Sequence, residues 1–230
     1  MNEIFNEDCY KTLTKRDIEY DYVCFSPPDY DELDMEPEDP KWITWQKKIY
    51  KKLNPKSGVV TIVNSMRKHK RFTVPKDVYI YNVMFSLGYK LVTKKVWIKP
   101  KIDPYGFKLG ERNNLYRYDN AYIMTFANKN SFKSKGTKRY RADNWTEDYK
   151  AEKFGTMNYT YHYPETMINR CIENFTEPGD VVYDPFVGIG TTAIASHNMG
   201  RNYYGSEIDT DVYNIAVERL KKLKKVTKSA

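Results

Sequence analysis

Apolar positions along the chain fall into short continuous runs separated by stretches of helical spacing. Tyr22-Val23-Cys24-Phe25 reads as a buried strand. The acidic stretch Asp29 to Asp39 then reads as a solvated loop, with Asp39 as N-cap and Pro40 opening a helix. That helix places Trp42, Trp45, Ile49 and Leu53 on one face and stops before Pro55. Gly58 leads into a strand, Val59 to Val63. Pro75 to Leu87 reads as a helix closed by Gly88, Leu91 to Ile98 as a strand and Ala121 to Phe126 as another. From Lys129 to about Tyr161 the periodicity fades. It returns with a helix from Pro164 to Phe175, the strand Val181-Val182-Tyr183, a helix from Thr191 to Met199 and the strand Tyr203-Tyr204-Gly205. A last helix, from about Asp211 to Lys224, turns Val212, Ala216, Leu220 and Leu223 inward. Alternating strands and helices predict an α/β fold with a mostly parallel sheet and helices on both faces.

Composition narrows this further. A chain of 230 residues, 40% hydrophobic and 15% aromatic, predicts one folded domain over residues 1–230. The 38 Lys and Arg against 30 Asp and Glu leave a net charge of +8, compatible with a polyanionic partner and equally with a solvated lysine-rich surface. Cys9, Cys24 and Cys171 are odd in number and widely spaced. They form neither a disulfide framework nor a metal-ligand pair, so a reducing compartment and no metal are expected. With no signal-peptide pattern after Met1 and no membrane-length apolar run, a cytoplasmic protein is expected: nucleoid-associated in a bacterium, in the host cytoplasm for a virus.

Two segments carry candidate chemistry, each where a buried strand ends. In Asp184-Pro185-Phe186-Val187-Gly188-Ile189-Gly190-Thr191-Thr192 the glycines let the backbone turn tightly beside a ligand, and the amides opening the next helix would face an anion or carboxylate. Glu207 ends the following strand, about 20 residues on, where an acid is the expected partner of ribose hydroxyls. A dinucleotide oxidoreductase would carry a third glycine where Ala193 stands. Three histidines without a Ser-His-Asp order give no basis for a hydrolytic triad. In Ser26-Pro27-Pro28-Asp29-Tyr30 both prolines fix φ and lack an N–H. Alone this reads as a turn; after a buried strand, with the glycine loop downstream, it reads as a site.

Together the two segments resemble the catalytic and cofactor motifs of the DNA amino-methyltransferases. Catalytic before cofactor motif is the circularly permuted order of their beta class. The resemblance implies a Rossmann-like S-adenosylmethionine-dependent methyltransferase fold, with S-adenosylmethionine as methyl donor, S-adenosylhomocysteine as product and no metal. It assigns Asp8, Cys9, Ser26, His162, Pro164, Asp184, Pro185, Phe186, Gly188, Gly190, Thr191, Thr192, Glu207 and Ile208 to the cofactor. Ser26, Pro27, Pro28, Asp29 and Tyr30 would form the catalytic set. The Ser26 hydroxyl and the Pro27 carbonyl would accept hydrogen bonds from an exocyclic amine on a base taken out of the duplex. Tyr30 would stack on that base. Asp29 intervenes where the family places the aromatic directly after proline, and could itself point at the amine. Serine in the first position resembles the N4-cytosine enzymes, with N6-adenine as the alternative. An RNA methyltransferase and a catalytically silent nucleic-acid-binding relative are the remaining readings. No cysteine follows a proline, as a C5-cytosine enzyme would require.

In such enzymes residues 129–161 would hold a small target-recognition insertion. Its Lys133, Lys135, Lys138, Arg139 and Arg141 would meet the phosphates of double-stranded DNA, and Tyr140, Trp145 or Tyr149 would wedge into the base stack. A solvated loop is the alternative for the same composition. Arg67, Lys68, Lys70 and Arg71 form a second candidate phosphate clamp. The expected partner is DNA, not a membrane, and the expected state a monomer or homodimer.

Overall fold

In the computed structural model, residues 2–36, 39–65, 67–70, 72–98, 120–130, 132–136, 138–146, 152–154, 157–159 and 163–226 are described. The chain opens with β1 (Glu3–Phe5), α1 (Cys9–Lys15) and β2 (Tyr22–Phe25), then a single 3-10 turn at Asp31–Leu33 and α2 (Pro40–Tyr50). Next come β3 (Val59–Ser65), the hairpin β4 (Arg67–His69) and β5 (Phe72–Val74), α3 (Lys76–Ser86), β6 (Lys90–Ile98) and β7 (Asn120–Ala127). They are followed by α4 (Lys138–Arg141), β8 (Asn144–Trp145), the pair β9 (Glu152–Phe154) and β10 (Met157–Tyr159), and α5 (Glu165–Phe175). The last elements are β11 (Val181–Asp184), α6 (Thr191–Asn198), β12 (Asn202–Ser206) and α7 (Thr210–Val226).

Among the described residues, eight strands form one sheet in the order β1-β12-β11-β2-β3-β7-β6-β8. From β1 to β3 every pairing is parallel. The expected parallel α/β sheet is therefore present, with one difference: β7 inserts between β3 and β6 and runs against both.

Strand alternation divides the core. Val23, Phe25, Val60 and Ile62 face one side, where they pack with Cys9 of α1, Ile49 and Tyr50 of α2 and Ile80, Val83 and Met84 of α3. Tyr22, Cys24, Val59 and Val63 face the other, with Met167, Ile168 and Cys171 of α5 and Ala195 of α6. Ile4 and Tyr203 continue that second side beneath Ile194 of α6 and Ala216 and Leu220 of α7. Each fully buried large apolar side chain contributes about 1.5–3 kcal/mol. The sequence-predicted cap is in place, with Asp39 accepting from the Lys41 amide at 2.8 Å and Pro40 opening α2. Leu53, expected on that helix, is buried just beyond its end.

The basic stretch after β7 differs from its sequence reading. Tyr140 and Trp145 are core residues, 6% and 0% exposed, and their rings meet at 5.5 Å. β8 joins the main sheet beside β6, and the Trp145 indole N–H donates to the Ala142 carbonyl at 3.0 Å. Neither ring is free to wedge into a base stack, because burying an aromatic of this size returns more free energy than the surrounding lysines cost. Tyr149 lies outside the described residues.

Candidate active site

The chain leaves β11 by α6 toward β12 and leaves β2 by α2 toward β3, in opposite directions and over opposite faces. β2 and β11 are neighbours, with Val23 level with Tyr183 and Tyr22 level with Val182. A crevice forms where crossovers diverge in this way, at the carboxyl ends of the two strands. Ser26 and Asp184 are the first residue after β2 and the last residue of β11. Segments more than 150 residues apart in sequence (184 − 26 = 158) thus meet at one end of the sheet, as expected.

The loop after β11 is built around backbone freedom. Asp184 Oδ1 accepts from the Phe186 amide at 2.8 Å, and the Val187 amide donates to the Ser206 carbonyl at 3.0 Å. Gly188 and Gly190 take φ of +55° and +88°, which residues with a Cβ adopt reluctantly. A Cβ on Gly205 of β12 would stand 2.0 Å from Val187 Cγ2, so the loop crosses this strand only because position 205 has no side chain. Arg219 of α7 donates to the Ile189 carbonyl at 2.6 Å and pins the far side.

Glu207 closes the loop. Its Oε2 accepts from the Gly188 amide and its Oε1 from the Asp209 amide, each at 2.9 Å. Burial raises its carboxyl above the usual range, opposed by these amide bonds. Asp184 is pushed up to about 7 by burial, against the lowering effects of the Thr192 hydroxyl and the Phe186 amide. Ile208 beside Glu207 is 69% exposed, an apolar surface open at the rim. Thr191 begins α6 with a buried hydroxyl that has no partner, and Thr192 is buried. Phe186 packs between Phe25 and Trp45, with centroids at 5.5 and 5.6 Å.

The N-terminal segment reaches the same edge. The Glu207 amide donates to the Phe5 carbonyl at 3.0 Å, and the Asn6 side chain donates to the Glu207 carbonyl at 3.0 Å. Asp8 caps α1, accepting from the Tyr10 amide at 2.8 Å. Burial pushes the Cys9 thiol up to about 12, and the Asp8 charge, then that of Asp184, adds to the rise; this thiol is protonated and not a nucleophile. Pro164 stands at the N-cap of α5. His162 lies outside the described residues.

Ser26, Pro27 and Pro28 are half-buried at the crevice. The next two residues turn inward instead. Asp29 is buried and its Oδ1 bonds Nζ of Lys76, the first residue of α3. Tyr30 is 4% exposed, clustered with Trp42 and Val74, its ring perpendicular to Trp42 and His69 with both centroids at 5.9 Å. The Asp29, Asp31 and Glu32 carboxylates lie within 4.8 Å of one another, but Lys76 already neutralises Asp29. Lys76 escaped sequence reasoning. The available signal was a cation directly after Pro75, at a helix start where an acid is usual.

The candidate phosphate contacts separate into two groups. Lys70 is exposed on the β4–β5 turn, beyond the carboxyl end of β3. Arg67 and Lys68 lie on β4; Arg71 falls outside the described residues. Lys135 instead pairs with Glu177 at 2.8 Å, beside the Gly179–Gly200 contact that precedes β11 and β12. That is the opposite edge of the sheet, so Lys135 is not brought to the crevice. Lys133 is exposed two residues earlier. Arg141 donates to the Gly136 carbonyl at 2.7 Å, next to Lys138 and Arg139 on α4.

Known proteins share the family and the fold. The family model described as DNA methylase, for the N6/N4 methyltransferases, matches residues 4–218. The type II methyltransferase M.BglII of Bacillus subtilis is 27% identical over 252 residues, covering 96% of this chain and 69% of its own. TTHA0409 of Thermus thermophilus, a putative DNA modification methylase solved with S-adenosylmethionine, superposes with a TM-score of 0.73 at 19% identity, over 96% of this chain and 94% of that one. The cytosine-N4-specific PvuII DNA methyltransferase does so with 0.75 at 16% identity, over 94% and 85%. Among the described residues, no helix is long and apolar enough to cross a membrane. The chain belongs to the DNA methylase family of N6-adenine and N4-cytosine methyltransferases.

Proposed function

We propose that this chain transfers a methyl group from S-adenosylmethionine to the N4 amine of cytosine in double-stranded DNA. The observation carrying the proposal is the adjacency of β2 and β11, which sets Ser26-Pro27-Pro28 beside the Asp184–Gly190 loop. The loop fits the cofactor on its own geometry: Gly188 and Gly190 hold left-handed backbone, Gly205 keeps the crossing open, and Thr191 offers a hydroxyl with no partner. Glu207 spends one lone pair per oxygen on the loop and keeps the others for ribose hydroxyls. Asp184 and Thr192 hold the loop at its start, and the exposed Ile208 suits one face of an adenine. S-adenosylmethionine supplies a methyl carbon activated by its sulfonium.

The chain's residues then prepare the amine. An exocyclic amine shares its lone pair with the ring; accepting its two N–H bonds turns that lone pair outward. The Pro27 carbonyl and the Ser26 hydroxyl are the acceptors, on backbone whose φ the prolines fix. Asp29 and Tyr30 support this loop from beneath, through Lys76 and the Trp42 cluster. Serine at position 26 favours cytosine. Lys70 and its neighbours on β4, with part of the 129–161 stretch, meet phosphates, and the enzyme acts in the cytoplasm.

Incubation with labelled S-adenosylmethionine and plasmid DNA, followed by nucleoside analysis, tests the proposal. N4-methylcytosine is expected, and Ser26→Ala and Asp184→Ala should each abolish transfer. N6-methyladenine would reassign the base, label in RNA alone the substrate, and no label at saturating donor would leave a silent relative.

A further inference from the structure

Phe72 is the most exposed large hydrophobic among the described residues, at 77%. It sits at the tip of the β4–β5 hairpin, directly opposite His69 in the register, with Val74 opposite Arg67. Residues directly opposite in an antiparallel pair project from the same face, and alternate residues share it. Phe72, His69 and Val74 therefore point to one side. Val74 and His69 show which side it is: Val74 packs in the cluster of Tyr30 and Trp42, and the His69 ring meets Tyr30 at 5.9 Å. The face turned toward the catalytic loop thus carries Phe72 beyond the loop's cover.

The hairpin is fastened there. His69 Nε2 lies 2.6 Å and Lys70 Nζ 3.6 Å from Glu36 Oε2, on the far side of the same loop. Lys70 holds φ +46°, a turn conformation that glycine or asparagine would adopt at lower cost. Arg67, Lys68, Lys70 and Arg71 surround the tip in sequence. An aromatic held in water next to a turn that carries the exposed Lys70, on an arm packed against the loop after β2, matches the side chains that proteins insert between base pairs.

Resting on the proposed methyl transfer, we propose that Phe72 is a wedge that enters the DNA duplex beside the target base and stabilises its extrusion. Lys70 on the turn holds a flanking phosphate. The ring compensates the stacking lost when the base leaves.

The test compares wild-type protein, Phe72→Ala and Phe72→Leu on supercoil-free duplex plasmid and on the same plasmid heat-denatured, with labelled S-adenosylmethionine. Phe72→Ala should lose at least tenfold in kcat/KM on duplex and less than twofold on denatured DNA, with Phe72→Leu between. An unchanged melting temperature is expected, because the ring is in solvent. Wild-type rates on duplex for Phe72→Ala, or equal losses on both substrates, would overturn the wedge. A second readout needs no transfer: plasmid relaxed by topoisomerase I with protein bound should be unwound more by wild type than by Phe72→Ala. Equal unwinding overturns the wedge. Wild-type protein that unwinds DNA without labelling it overturns the methyl-transfer reading and leaves the wedge standing.

Discussion

Lys76 Nζ bonds Asp29 Oδ1 with both residues buried, tying the first turn of α3 to the loop that follows β2. A lysine at a helix N-terminus faces the positive end of the dipole, and burial adds a desolvation cost. Asp29 offsets both. Removing either partner breaks a charge-assisted bond between buried groups, at about 1.5–3 kcal/mol. Asp29→Asn and Lys76→Met should each lower unfolding free energy by about that amount in urea titrations. The double variant Asp29→Leu/Lys76→Met should regain most of it, since apolar pairs often replace buried ion pairs without loss. Its kcat should stay depressed, because the restored packing does not restore the loop's register.

Gly205 makes a second long-range demand. Gly205→Ala puts a methyl group 2.0 Å from Val187 Cγ2 and 3.1 Å from the Asp184 carbonyl oxygen. Overpacking of this kind costs about 1–3 kcal/mol. Because the displaced residues belong to the cofactor loop, the dissociation constant for S-adenosylmethionine should rise about tenfold, a loss of about 1.4 kcal/mol. Val187→Ala in the same chain should restore both melting temperature and affinity in calorimetry. A double variant no better than the single one would place the strain elsewhere.

What the sequence disclosed followed local physics. β2, β3, β11 and β12 were legible because parallel strands buried on both faces read as continuous apolar runs, and α2 because Asp39 and Pro40 mark its start. Gly188, Gly190 and Glu207 were legible because a turn and its acid sit at fixed offsets from two strands. Hidden were the relationships between distant segments. Nothing near Gly205 in sequence names Val187, and nothing near Asp29 names Lys76. The run from Lys129 onward hid α4 and β8 because its charges mask the two aromatics that anchor them.

One of those aromatics, Tyr140, ends a chain of buried hydroxyls. Tyr22 bonds Thr61 at 2.5 Å, Thr61 bonds Thr125 at 2.9 Å across β3 and β7, and Thr125 bonds Tyr140 of α4 at 3.0 Å. Tyr140→Phe removes the last link at about 1 kcal/mol, and Thr125→Val, which takes out the middle of the chain and two bonds with it, should cost about 1–3 kcal/mol. Limited proteolysis should show faster cleavage between residues 129 and 146 in both. DNA affinity of Tyr140→Phe should stay within about twofold of wild type, because the hydroxyl it loses bonds Thr125 inside the core.

Asp184 links stability to pH. Burial pushes its carboxyl up to about 7, whereas an aspartate in the unfolded chain titrates at about 3.9. Between these values the folded protein keeps a proton that the unfolded chain has released. Asp184's contribution to the stability of the ligand-free protein therefore falls as pH rises from about 4 to about 7, then levels off. Three pKa units correspond to about 4 kcal/mol. Asp184→Asn, which cannot ionise, should lack this slope, so its stability relative to wild type should grow across that window and stay constant above it. Glu207, raised in the same direction by burial, adds a slope of the same sign to both proteins. A cationic ligand reverses the balance by favouring the ionised carboxylate. Wild-type affinity for S-adenosylmethionine should then strengthen between pH 6 and 8 as Asp184 gives up its proton. Melting temperatures at pH 5, 6, 7 and 8, with and without the ligand, separate the two effects, and parallel curves for wild type and Asp184→Asn would remove Asp184 as their source.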